Sequence, residues 1–135
     1  MIVVDTNIIA YLYLTGDRSQ QVAQLLEADP IWASPVLWRS EFRSVLSQYL
    51  RNDLLSLDDV LVILAQAEQL LAGNEYHISS TQVMDLVRSS SCSAYDCEFV
   101  ALAQQLQVPL ITADKKLLEA FADTAMSLER YPGNT

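Results

Sequence analysis

Short apolar runs alternate with longer stretches of helical periodicity along the whole of this sequence, and that alternation constrains the fold most. Parallel strands need a crossover between them, and a helix is the usual crossover, so such a chain builds an α/β protein with a largely parallel sheet. Residues 2–5 read as a buried first strand, and 6–14 as a short helix ending before Gly16. Residues 19–28 carry Val22, Ala23, Leu25 and Leu26 and stop before Asp29-Pro30. Ile31-Trp32-Ala33 is the second strand, closed by Ser34-Pro35. The clearest helix follows, with Trp38, Phe42, Val45, Leu46 and Tyr49 in a single apolar stripe. That spacing reads Tyr49 as core, together with Trp38 and Phe42, rather than as a platform for stacking bases.

Ser56 or Asp58 caps the next helix, which runs through Leu70 and ends at Ala72-Gly73. Tyr76-His77-Ile78 reads as the third strand, 81–87 as a helix, Ser89-Ser90-Ser91 as a loop and 94–106 as another helix. Strand four spans 108–112, a short helix 115–121, strand five 125–128, and the tail from Tyr131 to Thr135 is loose. With no internal repeat and no linker, 1–135 reads as one domain.

Half the residues are hydrophobic, which excludes a disordered chain. No apolar run is long enough to cross a bilayer, and Met1-Ile2-Val3-Val4-Asp5 has no basic signal-peptide region, so the expectation is a soluble, cytoplasmic protein. Cys92 and Cys97 read as free thiols, and with only His77 beside them they are too few for a zinc site. A net charge of −9 argues against a protein that coats nucleic acid, but not against an enzyme that meets phosphate through cations.

Four acids stand out by position. Asp5 and Asp114 follow the first and fourth strands, while Glu41 and Asp96 fall on helices. Taken singly, each has a structural reading. Asp5 and Asp114 suit helix N-caps, Ser93-x-x-Asp96 resembles a capping box, and Glu41 suits a solvated helix face. Taken together they are harder to dismiss. Ser, Thr or Asn would cap as well as Asp, and Glu41 borders the apolar stripe, where an unpaired charge is costly. In an open parallel sheet, ligands bind beyond the carboxyl ends of strands where the strand order reverses. Neighbouring first and fourth strands would therefore bring Asp5 and Asp114 to one crevice, and carboxylates crowded there suit Mg²⁺ or Mn²⁺.

Val4-Asp5-Thr6-Asn7, Arg39-Ser40-Glu41-Phe42-Arg43-Ser44-Val45-Leu46, Tyr95-Asp96-Cys97-Glu98-Phe99-Val100-Ala101-Leu102-Ala103 and Leu110-Ile111-Thr112-Ala113-Asp114 together resemble the PIN domain, in order and over nearly the whole chain. The set is similar to the VapC-type ribonucleases, toxins of toxin–antitoxin pairs, and their stand-alone relatives. The resemblance implies a three-layer α/β/α sandwich around a mostly parallel sheet of about five strands, and metal-dependent hydrolysis of RNA phosphodiester bonds. It implies that Asp5, Glu41, Asp96 and Asp114 bind one or two Mg²⁺ or Mn²⁺ ions, with Asn7 and Thr112 as the polar groups beside them. It also implies a homodimer, and an antitoxin that inserts a segment, often bearing an Arg, into the acidic cleft.

The implied reaction is attack of water on phosphorus, and Ser34, Ser40 and Ser93 have no paired His that would supply another nucleophile. Lys115, Lys116, Arg39 and Arg43 are candidates for a rim that grips flanking phosphates, while His77 reads as structural. A receiver domain, the chief rival outside enzymes, needs an Asp after the third strand and a Lys after the fifth. Ser79-Ser80 and Glu129-Arg130-Tyr131 stand there instead. A stand-alone PIN nuclease in RNA processing, one that acts on DNA, and a non-catalytic PIN-fold binding module also fit these residues.

Overall fold

The structure, a computed structural model, describes residues 1–131. Its elements follow the sequence pattern: β1 (Ile2–Val4), α1 (Thr6–Tyr13), α2 (Ser19–Ala28), β2 (Trp32–Pro35), α3 (Trp38–Arg51) and α4 (Leu57–Leu70) form the first half. β3 (Glu75–Tyr76), α5 (Ser80–Arg88), α6 (Ala94–Leu106), β4 (Leu110–Thr112), α7 (Lys115–Ala120) and β5 (Ala125–Ser127) form the second. The five strands pair in parallel in the order β3-β2-β1-β4-β5, with helices on both faces, a three-layer α/β/α architecture. Among the described residues, no helix is long and apolar enough to cross a membrane.

Parallel strands covered on both faces must be apolar throughout. β1 meets this condition, since Ile2, Val3 and Val4 are all fully buried at the centre of the sheet. Around it the core gathers Trp32 from β2, Leu110 and Ile111 from β4, Trp38, Phe42 and Leu46 from α3, and Phe99, Val100 and Leu102 from α6. Burying each large side chain of this set contributes roughly 1.5–3 kcal/mol before the entropy of ordering is set against it.

Several boundaries differ from the sequence expectation, each for a physical reason. The second strand includes Ser34 and Pro35 because both pair with the third strand, and the Ser34 hydroxyl, buried in the sheet, is satisfied by donating to the Val4 carbonyl at 2.7 Å. The third strand is Glu75–Tyr76, not 76–78. Its ladder is set by β2, with Ser34 N–H donating to Asn74 and Val36 N–H to Tyr76, so exposed His77 lies past its end. The fourth strand begins at Leu110 because the Val108 N–H donates to the Ala103 carbonyl, closing α6, and Pro109 has no N–H to give.

Ser56, not Asp58, caps α4, in a full capping box with Asp59. At α6 only the Ser93 hydroxyl half of such a box forms, accepting from the Asp96 N–H at 3.0 Å. Of the tail expected to be loose, Tyr131 is fastened, its hydroxyl 2.7 Å from Asp29 Oδ2, and 132–135 lie outside the described residues.

Candidate active site at the strand switch point

The chain leaves β1 for β2 on one side of the sheet, and β4 pairs with β1 on the other. The strand order therefore reverses between β1 and β4, and a crevice opens beyond their carboxyl ends. Asp5, Glu41, Asp96 and Asp114 all line one cleft of about 300 Å³ there, together with Asn7.

Each carboxylate reaches the cleft from a different element. Asp5 follows β1 and caps α1, its Oδ1 accepting the Ile8 N–H at 3.1 Å. The register that pairs Val4 with Ile111 sets Asp5 beside Thr112, whose hydroxyl donates to Asp5 Oδ2. The same hydroxyl accepts the Asp114 N–H at 3.0 Å, so one buried threonine ties the two strand-end acids together. Asp114 caps α7 by accepting the Lys116 N–H at 2.8 Å. Glu41 projects from the first turn of α3 and accepts the Thr6 hydroxyl at 2.6 Å. Asp96 stands in the first turn of α6. The capping role and the place in the cleft thus do not exclude each other for Asp5 and Asp114; both hold at once.

The electrostatics of the cleft are one-sided. Burial pushes Asp5 up to about 6, against an ordinary 3.8, despite hydrogen bonds from Thr112 and Ile8, and the charges of Asp114 and Asp96 push the same way. Burial also raises Glu41 and Asp96, with Asp96 acting on Glu41 and Asp114 acting on Asp96. Glu98, two residues further along α6, is raised by burial and by Glu41. Lys116 is the one basic side chain that pulls Asp96 the other way, and it is exposed. Carboxylates of this kind gain most from a hard cation with oxygen ligands.

Among the described residues, no three His, Cys, Asp or Glu side chains form a ready-made metal shell. Asp5, Glu41 and Asp114 each give an oxygen to a neighbouring donor. The donor set is nonetheless all oxygen and net anionic, which fits Mg²⁺ or Mn²⁺.

Sequence reasoning missed Thr6, which lines the cleft and holds Glu41. Its signal was available, since a hydroxyl directly after a strand-end acid sits where α1 begins. Of the four candidates for a basic rim, Arg39 is spoken for, while Lys115 and Lys116 are exposed at the start of α7. Arg39 is committed to a fork with Glu75 at 2.7 and 2.8 Å, and reaches Glu68 at 3.5 Å. Arg43 is exposed and outside the cleft lining, because residues two apart on a helix do not share a face. Tyr49 also departs from expectation. Trp38 and Phe42 are fully buried, but Tyr49 is only half-buried and lies outside the core cluster.

With this geometry established, known proteins offer a comparison. The sequence profile of the PIN domain matches residues 2–123. The chain belongs to the PIN domain family. It is similar to Ribonuclease VapC3 of Pyrobaculum aerophilum, 27% identical over 123 residues that cover 89% of this chain and 94% of that protein. Among solved structures, it resembles FitAcB from Neisseria gonorrhoeae, with a TM-score of 0.76, 19% identity and coverage of 96% of this chain and 99% of the other. It also resembles a toxin–antitoxin complex from Klebsiella pneumoniae, with a TM-score of 0.72, 20% identity and coverage of 95% and 98%.

Proposed function

We propose that this PIN-domain chain is a metal-dependent endoribonuclease that hydrolyses RNA phosphodiester bonds, and that it is the toxin of a VapBC-type toxin–antitoxin pair. The observation that carries the reading is the convergence of Asp5, Glu41, Asp96 and Asp114 on one cleft at the strand switch point, their mutual repulsion unrelieved by any basic side chain in the cleft lining. A curated relative named as a ribonuclease and a structural relative described as a toxin–antitoxin complex support the same reading.

In this reading the four acids hold one or two Mg²⁺ or Mn²⁺ ions. The chemistry such an ion would supply there is a lowered pKa for water and a shield for the charge of the phosphate. The rest of the work falls to the chain. Thr112 fixes the Asp5 carboxylate and the backbone at Asp114 together, and Thr6 fixes Glu41, so the acids keep their orientation when a charged substrate enters. Exposed Asn7 at the cleft wall presents a side-chain amide to the substrate phosphate or ribose. An antitoxin would hold the enzyme in check by placing an Arg among the acids, a charge-assisted interaction that occupies the metal's place. The toxin reading also carries a homodimer and a cytoplasmic site of action.

The test is cleavage of single-stranded RNA with Mn²⁺ or Mg²⁺ by wild type, Asp5→Asn and Asp96→Asn, using protein freed of any partner. The reading requires wild-type cleavage that EDTA stops and that both variants lose. Equal, EDTA-insensitive activity in all three, or no activity in the wild type, contradicts it.

A further inference from the structure

A second hollow, of about 400 Å³, adjoins the acidic cleft, and Asn7 and Val45 form walls of both. Two helices lead from one to the other. On α3, Glu41, Val45 and Tyr49 follow at four-residue spacing and so share a face, with Tyr49 about 12 Å beyond Glu41 along the axis. On α1, which packs on α3, Asn7 and Tyr11 repeat the same spacing. The cleft thus runs from carboxylates, past an amide, to two tyrosines. Arg18 closes the far side, its guanidinium 5.7 Å from the centre of the Tyr11 ring.

Two features of this hollow need a use. Tyr49 continues the stripe of Trp38 and Phe42, yet those two are fully buried in the core while Tyr49 is half-buried and outside it. Arg18 is one of only eight basic residues against seventeen acids, and it stands over an aromatic ring beside the cleft. Its ion pair with Glu129, at 3.5 Å and exposed on both sides, is too weak to hold it. Planar guanidinium and aromatic faces together are what an unpaired nucleobase stacks upon.

We propose that this hollow is a nucleobase subsite. It takes the base of the nucleotide next to the scissile phosphate in single-stranded RNA, with Tyr49, Tyr11 and Arg18 supplying the stacking surfaces. The proposal rests on the RNA-cleaving reading of the acidic cleft and adds the element that selects and seats the substrate. It also answers the charge problem: a chain of net charge −9 gains little from long-range attraction to RNA, so its grip must come from close stacking as well as from the metal.

The test uses a short labelled single-stranded RNA, with and without an abasic nucleotide beside the cleavage position. Binding is read by anisotropy in the Asp96→Asn background, and cleavage kinetics in the wild-type background. Tyr49→Ala is expected to weaken binding and raise KM about tenfold or more, with kcat little changed. Tyr49→Phe keeps wild-type values, Arg18→Gln shows a smaller loss, and the abasic substrate erases the difference between Tyr49→Ala and wild type.

Base-dependent, Tyr49-dependent binding without any cleavage leaves the subsite standing while the nuclease reading falls. Three results overturn the subsite: no RNA binding, binding indifferent to Tyr49→Ala, or an equal Tyr49→Ala loss on the abasic strand. It is also overturned if Tyr49→Ala leaves RNA untouched but loosens a co-purified protein partner, since the hollow then serves that protein.

Discussion

Helix α3 carries two charged clusters within three residues, and they behave in opposite ways. At Arg39 the charge is matched: the guanidinium forks onto Glu75, the Trp38 indole N–H donates to the same carboxylate at 2.7 Å, and Glu68 adds a second acid. Arg39 holds the Glu75 carboxyl below the usual carboxylate range. At Glu41 nothing matches the charge except a threonine hydroxyl, and burial with nearby Asp96 lifts it above that range. The first cluster fastens edge strand β3 to α3 and serves the fold. The second costs the fold stability, and the proposed function gives it a use. Position in the sheet separates them, since one lies at the edge and the other at the switch point between β1 and β4.

Activity breaks the comparison most sharply. Asp5→Asn or Asp96→Asn should lower metal-dependent RNA cleavage by about a hundredfold or more. Glu75→Gln should leave the cleavage rate near wild type, as measured at a temperature where all three are folded. Loss of activity in Glu75→Gln alone would mean that the edge cluster also does chemistry.

Stability should move in opposite directions at the two clusters. Asp5 holds its proton more tightly when folded, at about 6 against an ordinary 3.8, so folding takes up a proton between those values. In metal-free protein its contribution therefore falls as pH rises from about 4 to about 6, by about 3 kcal/mol, and stays low above that. Asp5→Asn should flatten this fall and stabilise the metal-free protein at pH 7, as read by urea denaturation in EDTA across the pH range.

Glu75 has the reverse sign. Its lowered value gives a contribution present above the ordinary 4.5 and lost as pH falls through the depressed one. Glu75→Gln should cost about 1–3 kcal/mol at pH 7 and progressively less in acid, in the same denaturation series. The smallest effect belongs to Thr6→Val, which removes the one hydrogen bond to Glu41. It should cost about 1 kcal/mol at neutral pH, while cleavage drops more than stability accounts for.

The parallel α/β architecture was legible from the alternation of apolar runs and helical periodicity, but the adjacency of the first and fourth strands came from the switch-point rule and not from the residues of either strand. β3 was misplaced because a two-residue edge strand takes its register from β2 and from the Arg39–Glu75 fork, and neither leaves a local signature. The four acids could be read from position, but the ties among them could not. That one Thr112 hydroxyl serves both Asp5 and Asp114 depends on the β1–β4 register. Tyr49 was misread because a helical repeat says which side a residue faces, not where the core ends along that side.

The function proposed for this chain requires that the acidic cleft take up a divalent cation. The direct measurement is thermal unfolding at pH 7 with and without saturating Mn²⁺, for wild type, Asp5→Asn and Glu75→Gln. Wild type and Glu75→Gln should gain several degrees with Mn²⁺, and Asp5→Asn should lose most of that gain. A wild-type melting temperature unmoved by Mn²⁺, or an equal gain in all three proteins, would contradict the assignment of the cleft as a metal site.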